Sequence, residues 1–367
     1  MNILQIFNGF ADRWNANGYY ALTLAEGLSG LGHTVICVGD PDCSFTRKTR
    51  ERSLRTFDLT VDTDNPLRYF SVVRQIRRLI RENDIDVINC HRGKIMAAFI
   101  RAARTSGRKV TVVRTHGEDR LPNTHLLARL ESRSIDKYIV TTEKLKTYYL
   151  SRFNIDESDI KVIYGGASHP IHSETQRIKP SPPGKQGMFT IGILGRSSAV
   201  KGHRTAIEAL KQVAEAVSIP VVLKLAGGKK QKSLDEFRTF AQEHGLSETQ
   251  VDIVGWVENP AEFIAHVDMG LIPSLGSEMI CRVLMEFIAF GKPVFGSDVN
   301  AVGEVIRTFN IGLTSPPGQP DRLAENIIEA VNNPSRMDEW AEHASRAYES
   351  VFSPRRFAEI TSGFYTG

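Results

Sequence analysis

Two short segments of this sequence carry side chains suited to holding a phosphorylated ligand. The first is Gly195-Arg196-Ser197-Ser198-Ala199-Val200-Lys201-Gly202-His203, which follows the apolar run 190–194 and leads into a helical pattern. A loop that carries cations into a helix N-terminus offers a phosphate backbone N–H groups, the positive end of the helix dipole and two charged side chains. Arg196 suits bidentate contact with phosphate oxygens, and Lys201 acts as a compact point charge. In isolation the same residues fit a surface turn with solvated cations; their position at the carboxyl end of a strand favours the ligand.

The second segment, Ser274-Leu275-Gly276-Ser277-Glu278-Met279-Ile280-Cys281-Arg282-Val283-Leu284-Met285-Glu286, also lies between a strand end and a helix. A helix beginning just after Glu278 puts Glu286 about two turns deeper, so that one carboxylate reaches a sugar's hydroxyls and the other a ribose. Glu286 stands among Leu284, Met285, Phe287, Ile288 and Ala289, where a carboxylate is costly unless it is hydrogen-bonded. A third candidate is His116, at the end of the apolar run that contains Val112 and Val113. Such a histidine is also a common structural hydrogen-bonder, but a strand's carboxyl end is where ligands bind in open α/β sheets. No G-x-G-x-x-G follows the first strand and no G-x-x-x-x-G-K-[ST] occurs, which disfavours a standard NAD enzyme or P-loop ATPase.

These segments need strands and helices to position them. Short branched apolar runs alternate with longer amphipathic stretches, the pattern of β-α-β units around parallel sheets. Strands are expected at 2–7, 34–39, 87–90, 109–114, 137–141 and 161–164, then at 189–194, 221–226, 251–254, 269–272 and 293–296. Helices are expected at 19–31, 69–81, 204–217, 233–243 and 280–290. The stretch 168–187, with His169-Pro170 and Pro180-Ser181-Pro182-Pro183-Gly184, has no sustained period and reads as a linker. The 367 residues therefore divide into two doubly wound α/β domains, 1–167 and 188–352, with a ligand expected in a cleft between them.

With 41% hydrophobic and 24% charged residues, the composition is that of a globular protein and excludes disorder, collagen and a membrane bundle. The net charge of +4 conceals an asymmetry: residues 1–165 hold 26 Lys+Arg against 19 Asp+Glu, and the remainder 20 against 23. The first half, at +7, suits an anionic partner such as a membrane surface, a nucleic acid or an acidic glycan. Cys37, Cys43, Cys90 and Cys281 lack the spacing of zinc ligands and read as reduced thiols. The start of the chain lacks the charged and apolar regions of a signal peptide, and no apolar run approaches a spanning helix, so a cytoplasmic protein is expected. The basic amphipathic stretch 72–81 suits either a helix covering the first sheet or one docking on anionic lipid. Asp40-x-Asp42, Asp62-x-Asp64 and Asp84-x-Asp86 spell a metal-binding pattern, but two of them sit in a turn or at a strand's start, and no metal site is expected.

Taken together, the segments resemble the second domain of the GT-B glycosyltransferases, specifically the retaining family four that includes many bacterial envelope-polysaccharide and lipopolysaccharide enzymes. The resemblance runs through Gly195-Arg196 and Lys201-Gly202, Leu225-Ala226-Gly227-Gly228, Val254-Gly255-Trp256-Val257, Ile272-Pro273-Ser274, the pair Glu278 and Glu286, Gly291-Lys292-Pro293-Val294, and Glu304. In the first domain it covers Asn17-Gly18-Tyr19-Tyr20, Leu24-Ala25, Leu28, Gly32-His33-Thr34-Val35 and Val113-Arg114-Thr115-His116-Gly117. The sequence departs from the family where Pro-Asn-Gly-Val-Asp is replaced by Tyr164-Gly165-Gly166-Ala167-Ser168, and where Phe-Gly after the first glutamate becomes Met279-Ile280, with Arg282 nearby.

The resemblance implies transfer of a hexose, with retention, from a nucleotide diphosphate sugar (UDP- or GDP-linked) to a glycan or lipid-linked acceptor, with no metal or other cofactor and no nucleic-acid partner. Arg196 and Lys201 would stabilise the departing diphosphate, and Glu286 would accept from the ribose hydroxyls. Glu278 and the backbone around Met279, Ile280, Cys281 and Arg282 would hold the hexose, and Trp256 and Val257 would adjoin the base. Gly18 and His116 would face the cleft from the acceptor side. The C-terminal helix, about 353–367, would pack back on the first domain. A GT-B-type sugar-nucleotide epimerase and a non-catalytic nucleotide-sugar-binding subunit are the competing readings.

Overall fold

Most of the apolar runs become strands because they are buried on both faces, which leaves their backbone groups no partner but a neighbouring strand. A computed structural model describes residues 1–7, 14–60, 66–92, 96–168 and 187–367, which divide into two units: Met1–Gly166 with Pro354–Gly367, and Ala167–Ser353. Most of the expected linker, 169–186, lies outside the described residues, as do Asn8-Gly9, Asp62 and Asp64.

In the first unit the strands are β1 (Asn2–Ile6), β2 (Thr34–Gly39), β3 (Thr56–Asp58), β4 (Val87–Cys90), β5 (Thr111–His116), β6 (Lys137–Val140) and β7 (Ile160–Val162). They form a parallel sheet in the order β3-β2-β1-β4-β5-β6-β7. In the second unit β8 (Phe189–Leu194), β9 (Val221–Ala226), β10 (Val251–Gly255), β11 (Met269–Ile272), β12 (Val294–Ser297) and β13 (Thr314–Ser315) are parallel in the order β10-β9-β8-β11-β12-β13. Each sheet reverses its winding once, between β1 and β4 and between β8 and β11. Loops leaving the carboxyl ends of those pairs diverge and open a crevice.

The sequence reading needs correction in several places. Strands β3 and β13 were not expected, because short, partly exposed edge strands such as Thr56-Phe57-Asp58 contain no continuous apolar run. Strand β5 runs to His116 rather than ending at Arg114, and His116 pairs with Val140 of β6. The helix after the second candidate segment begins at Arg282, not just after Glu278.

Helix Pro66–Glu82 turns Val72, Val73, Ile76, Leu79 and Ile80 into the first unit, so its amphipathicity is spent on the protein core. Helix Pro354–Thr366 lies against helix Ala16–Gly30 so closely that a Cβ on Gly27 would come 2.4 Å from the Pro354 carbonyl oxygen. Its buried Tyr365 hydroxyl accepts from Asn89 Nδ2 at 2.8 Å and Gln5 Nε2 at 3.2 Å, which anchors the helix to β4 and β1. Asp84 pairs with Arg108 at 2.6 Å and Asp86 accepts from the Asn2 N–H at 2.8 Å, so both acids of that D-x-D serve the fold. No helix among the described residues is long and apolar enough to cross a membrane.

Candidate functional site

Both phosphate-suited segments leave the switch point of the second sheet. The first follows β8, runs through a single 3-10 turn at Ala199–Lys201, and enters helix His203–Ala216 through Gly202. Gly202 has φ +70°, and a Cβ there would lie 1.8 Å from the Pro273 carbonyl oxygen. Only glycine permits that approach. The Leu275 N–H donates to the Val200 carbonyl at 2.8 Å, which ties this loop to the one leaving β11.

That docking brings Lys201 to Glu278. The Lys201 ammonium pairs with Glu278 Oε1, which also accepts from the Ser274 hydroxyl at 2.7 Å. The glutamate is buried, and a buried carboxylate is tolerable only with such partners. Glu278 and Ser277 both have left-handed backbone, φ +65° and +66°. Beyond them, among the described residues, the backbone N–H groups of Met279, Ile280 and Cys281 donate to no protein acceptor. The two helices entered here, His203–Ala216 and Arg282–Ala289, have no side-chain N-cap. Orphan donors at helix N-termini next to a lysine form a site for an anion.

Glu286 lies one turn inside helix Arg282–Ala289, where Oε1 accepts from Arg282 Nε at 2.6 Å. Burial raises its pKa, and the Arg282 guanidinium acts against that rise. The structure thus pairs with each other two residues the sequence assigned to ligand contacts. Met279, Ile280 and Cys281 have buried side chains, and burial, with the Glu278 carboxylate that its thiol contacts, pushes the Cys281 pKa well up; Met279 and Ile280 present backbone. Arg196 is exposed on the same loop as Lys201, and its guanidinium makes no hydrogen bond or ion pair among the described residues. Trp256 follows β10 and is 55% exposed, with the Lys229 ammonium 3.6 Å from its ring centroid, and Val257 beside it is half-buried. The β8, β9 and β10 ends converge on glycines: the Gly227 N–H donates to the Gly255 carbonyl at 2.6 Å, and a Cβ on Gly227 would lie 2.7 Å from the Gly195 oxygen.

The remaining candidates belong to the first unit. His116 is buried at the end of β5, its Nδ1 2.9 Å from the Tyr149 hydroxyl. Burial, with the nearby Arg114 guanidinium, lowers its pKa to about 4, so the ring is neutral at physiological pH. Gly18 lies in the first turn of helix Ala16–Gly30, where its N–H donates to the Asn15 side chain at 3.0 Å.

Sequence reasoning gave Ser274 no role and missed Asn300, whose side-chain amide donates to the Ser277 carbonyl. Serine four residues before a glutamate has no periodic meaning in a loop. The only available signal at position 300 was asparagine's tolerance of left-handed backbone, which it adopts here with φ +39°.

With this geometry in view, two family models match the chain: the glycosyl transferases group 1 model over residues 174–347, and the glycosyltransferase family 4 model over residues 18–169. The chain is 24% identical over 237 residues to the O-antigen chain mannosyltransferase C of Escherichia coli, an alignment covering 64% of this chain and 59% of that protein. It is 29% identical over 192 residues to the phosphatidyl-myo-inositol mannosyltransferase of Mycobacterium leprae, covering 47% of this chain and 50% of that one. The chain therefore spans only about half to three-fifths of these curated relatives. Its fold superposes with a TM-score of 0.79 on the Anabaena protein HepE crystallised with UDP, at 18% identity and over 100% of both chains. Two Rossmann-like units in this arrangement of strands are the GT-B architecture.

Proposed function

The chain belongs to the family 4 glycosyltransferases, and from that premise we propose that it moves a hexose from a UDP- or GDP-sugar to a glycan or lipid-linked acceptor in cell-surface polysaccharide or lipopolysaccharide synthesis. The observation that carries this reading is the contact of Lys201 with the buried Glu278 beside unpaired backbone donors. A diphosphate arriving there competes for Lys201. The lysine and Arg196 then neutralise charge developing on the leaving group, and the N–H groups of Met279 to Cys281 add fixed dipoles. Glu278, still held by Ser274, is freed to accept from hexose hydroxyls and to stabilise positive character at the anomeric carbon. Glu286, braced by Arg282, reaches the ribose, and Trp256 and Val257 adjoin the base.

The acceptor hydroxyl attacks from the face the diphosphate leaves and passes its proton to the departing phosphate oxygen, so configuration is retained without an enzyme nucleophile. Two side-chain cations carry the charge, so the reaction needs no metal. On the acceptor side Gly18 makes room for the Trp14 ring at the start of its helix, and neutral His116 offers a hydrogen bond. O-antigen and phosphatidylinositol substrates in the relatives' names, with UDP in the structural neighbour, support the donor and acceptor classes.

A lipid-linked acceptor makes a peripheral position on the inner face of the cell membrane useful to this cytoplasmic enzyme. On helix Pro66–Glu82, Val72, Val73, Ile76, Leu79 and Ile80 face the protein core, and the exposed Phe70 ring lies under the Arg101 guanidinium. Helix Leu126–Ser132, by contrast, exposes Leu126 (72%) and Leu130 (47%) with Arg129 between them. An exposed stripe of leucine and arginine suits an anionic bilayer.

The test is thermal-shift screening against UDP-, GDP- and ADP-sugars, followed by donor hydrolysis without acceptor. Free sugar with retained configuration supports the transferase. A C2-inverted product would identify an epimerase, and binding without turnover a non-catalytic subunit. Lys201→Ala and Glu286→Ala are each expected to abolish most turnover while the protein stays folded; wild-type rates in either would contradict the site.

A further inference from the structure

Ser277 and Glu278 stand side by side with φ +66° and +65°. Non-glycine residues adopt that conformation at a cost, and two in succession persist only where surrounding contacts hold them. The contacts come from the start of helix Asn300–Phe309. The Asn300 side-chain amide donates to the Ser277 carbonyl, and the Ala301 N–H donates to the Glu278 carbonyl at 3.1 Å. Both peptide groups of the strained pair are thereby clamped from one side. On the other side the Glu278 carboxylate is held by Ser274 and Lys201.

We propose that Asn300 is a positioning residue for Glu278: its amide keeps Ser277 in the left-handed region, and that backbone turn aims the Glu278 carboxylate inward at Lys201 instead of outward at solvent. Without the clamp, Ser277 relaxes to an ordinary negative φ and the following peptide reorients, carrying Glu278 and the donors of Met279 to Cys281 with it. Position 300 has two requirements at once. It must take φ +39° itself and carry a side-chain donor. Asparagine meets both, aspartate lacks the donor, and glycine lacks the side chain. The importance for catalysis rests on the function proposed above; the effect on loop geometry does not.

The mechanism makes a compensation prediction, because glycine occupies the left-handed region freely. Crystal structures of Asn300→Gly and Asn300→Asp should show Ser277 at negative φ and the Lys201–Glu278 pair parted beyond 4 Å. The double variant Ser277→Gly/Asn300→Gly should restore both. In hydrolysis of UDP-glucose and GDP-mannose, the single variants should lose at least tenfold in kcat/KM, and the double variant should return to within threefold of the unmodified protein. A Ser277 that keeps its left-handed φ in Asn300→Gly overturns the proposal. So does a loss of activity that the second glycine fails to rescue, since that places Asn300 on the ligand or in general stability. Glu278→Gln separates the two readings: unimpaired hydrolysis in this variant removes the catalytic role of Glu278 and leaves the φ measurement to decide about Asn300.

Discussion

At the scale of single residues, the site is a set of charges already satisfied before any ligand arrives. Glu278 has Lys201 and Ser274, and Glu286 has Arg282. Under the proposed function a nucleotide sugar would bind by exchange, with phosphate oxygens taking over Lys201, so the resting pairs would both preorganise the groups and compete with the donor. Ser274 is the partner that has no reason to move. Ser274→Ala leaves Glu278 with Lys201 and the weak Cys281 thiol donor while resting, and with the thiol alone once the lysine has shifted to phosphate. Removing a hydrogen bond to a charged group costs about 1.5–3 kcal/mol, so kcat/KM for the donor should fall roughly ten- to hundredfold, and the thermal midpoint should also fall as the buried carboxylate loses that partner. Steady-state kinetics with the donor found by screening checks this; a loss below twofold would mean that Ser274 does not hold the carboxylate during turnover.

At the scale of elements, the site depends on loops pressed together where side chains would not fit. The Gly202 approach to Pro273 registers the Lys201 loop against the Glu278 loop, and the direction of each helix then follows. A comparable approach within the first unit fastens helix Pro354–Thr366 to helix Ala16–Gly30 at Gly27. Gly27→Val must push the C-terminal helix away, lengthening the Tyr365 contacts with Gln5 and Asn89. Overpacking of this kind costs roughly 1–3 kcal/mol. Urea denaturation should show that loss, while Gly30→Ala, with open space around it, should be neutral or slightly stabilising. Equal stability of the two variants would show that the helix contact contributes nothing.

At the scale of the whole molecule, two properties follow from summed charges. His91, His116 and His203 are buried, and burial lowers their pKa values to about 3, 4 and 4 from an ordinary 6.5. Between pH 6.5 and about 4 the unfolded chain binds protons at these rings and the folded chain does not, so their contribution is complete above pH 6.5 and is lost as pH falls through that window. The thermal midpoint should drop on going from pH 7.5 to 5, ahead of most carboxylate titration; a flat or rising midpoint would refute the buried neutral rings. The second property is surface binding. The chain should sediment with vesicles containing anionic phospholipid and not with neutral ones. Leu126→Glu/Leu130→Glu should weaken that binding at least fivefold, and no dependence on lipid charge or on these leucines would remove the membrane reading.

The residue pattern alone determined the doubly wound class, most strand positions and the two segments from Arg196 to Glu286, because continuous apolar runs and cations before a helix follow from local chemistry. It could not show that Glu278 precedes its helix in left-handed backbone, that Asn300 holds that turn, or that Lys201 meets the Glu278 carboxylate. Nor could it distinguish the buried leucine and isoleucine of helix Pro66–Glu82 from the exposed leucines of helix Leu126–Ser132. Those features depend on what packs against each segment from distant parts of the chain. Amphipathic spacing states that a face is apolar; only the tertiary structure decides whether protein or solvent meets it.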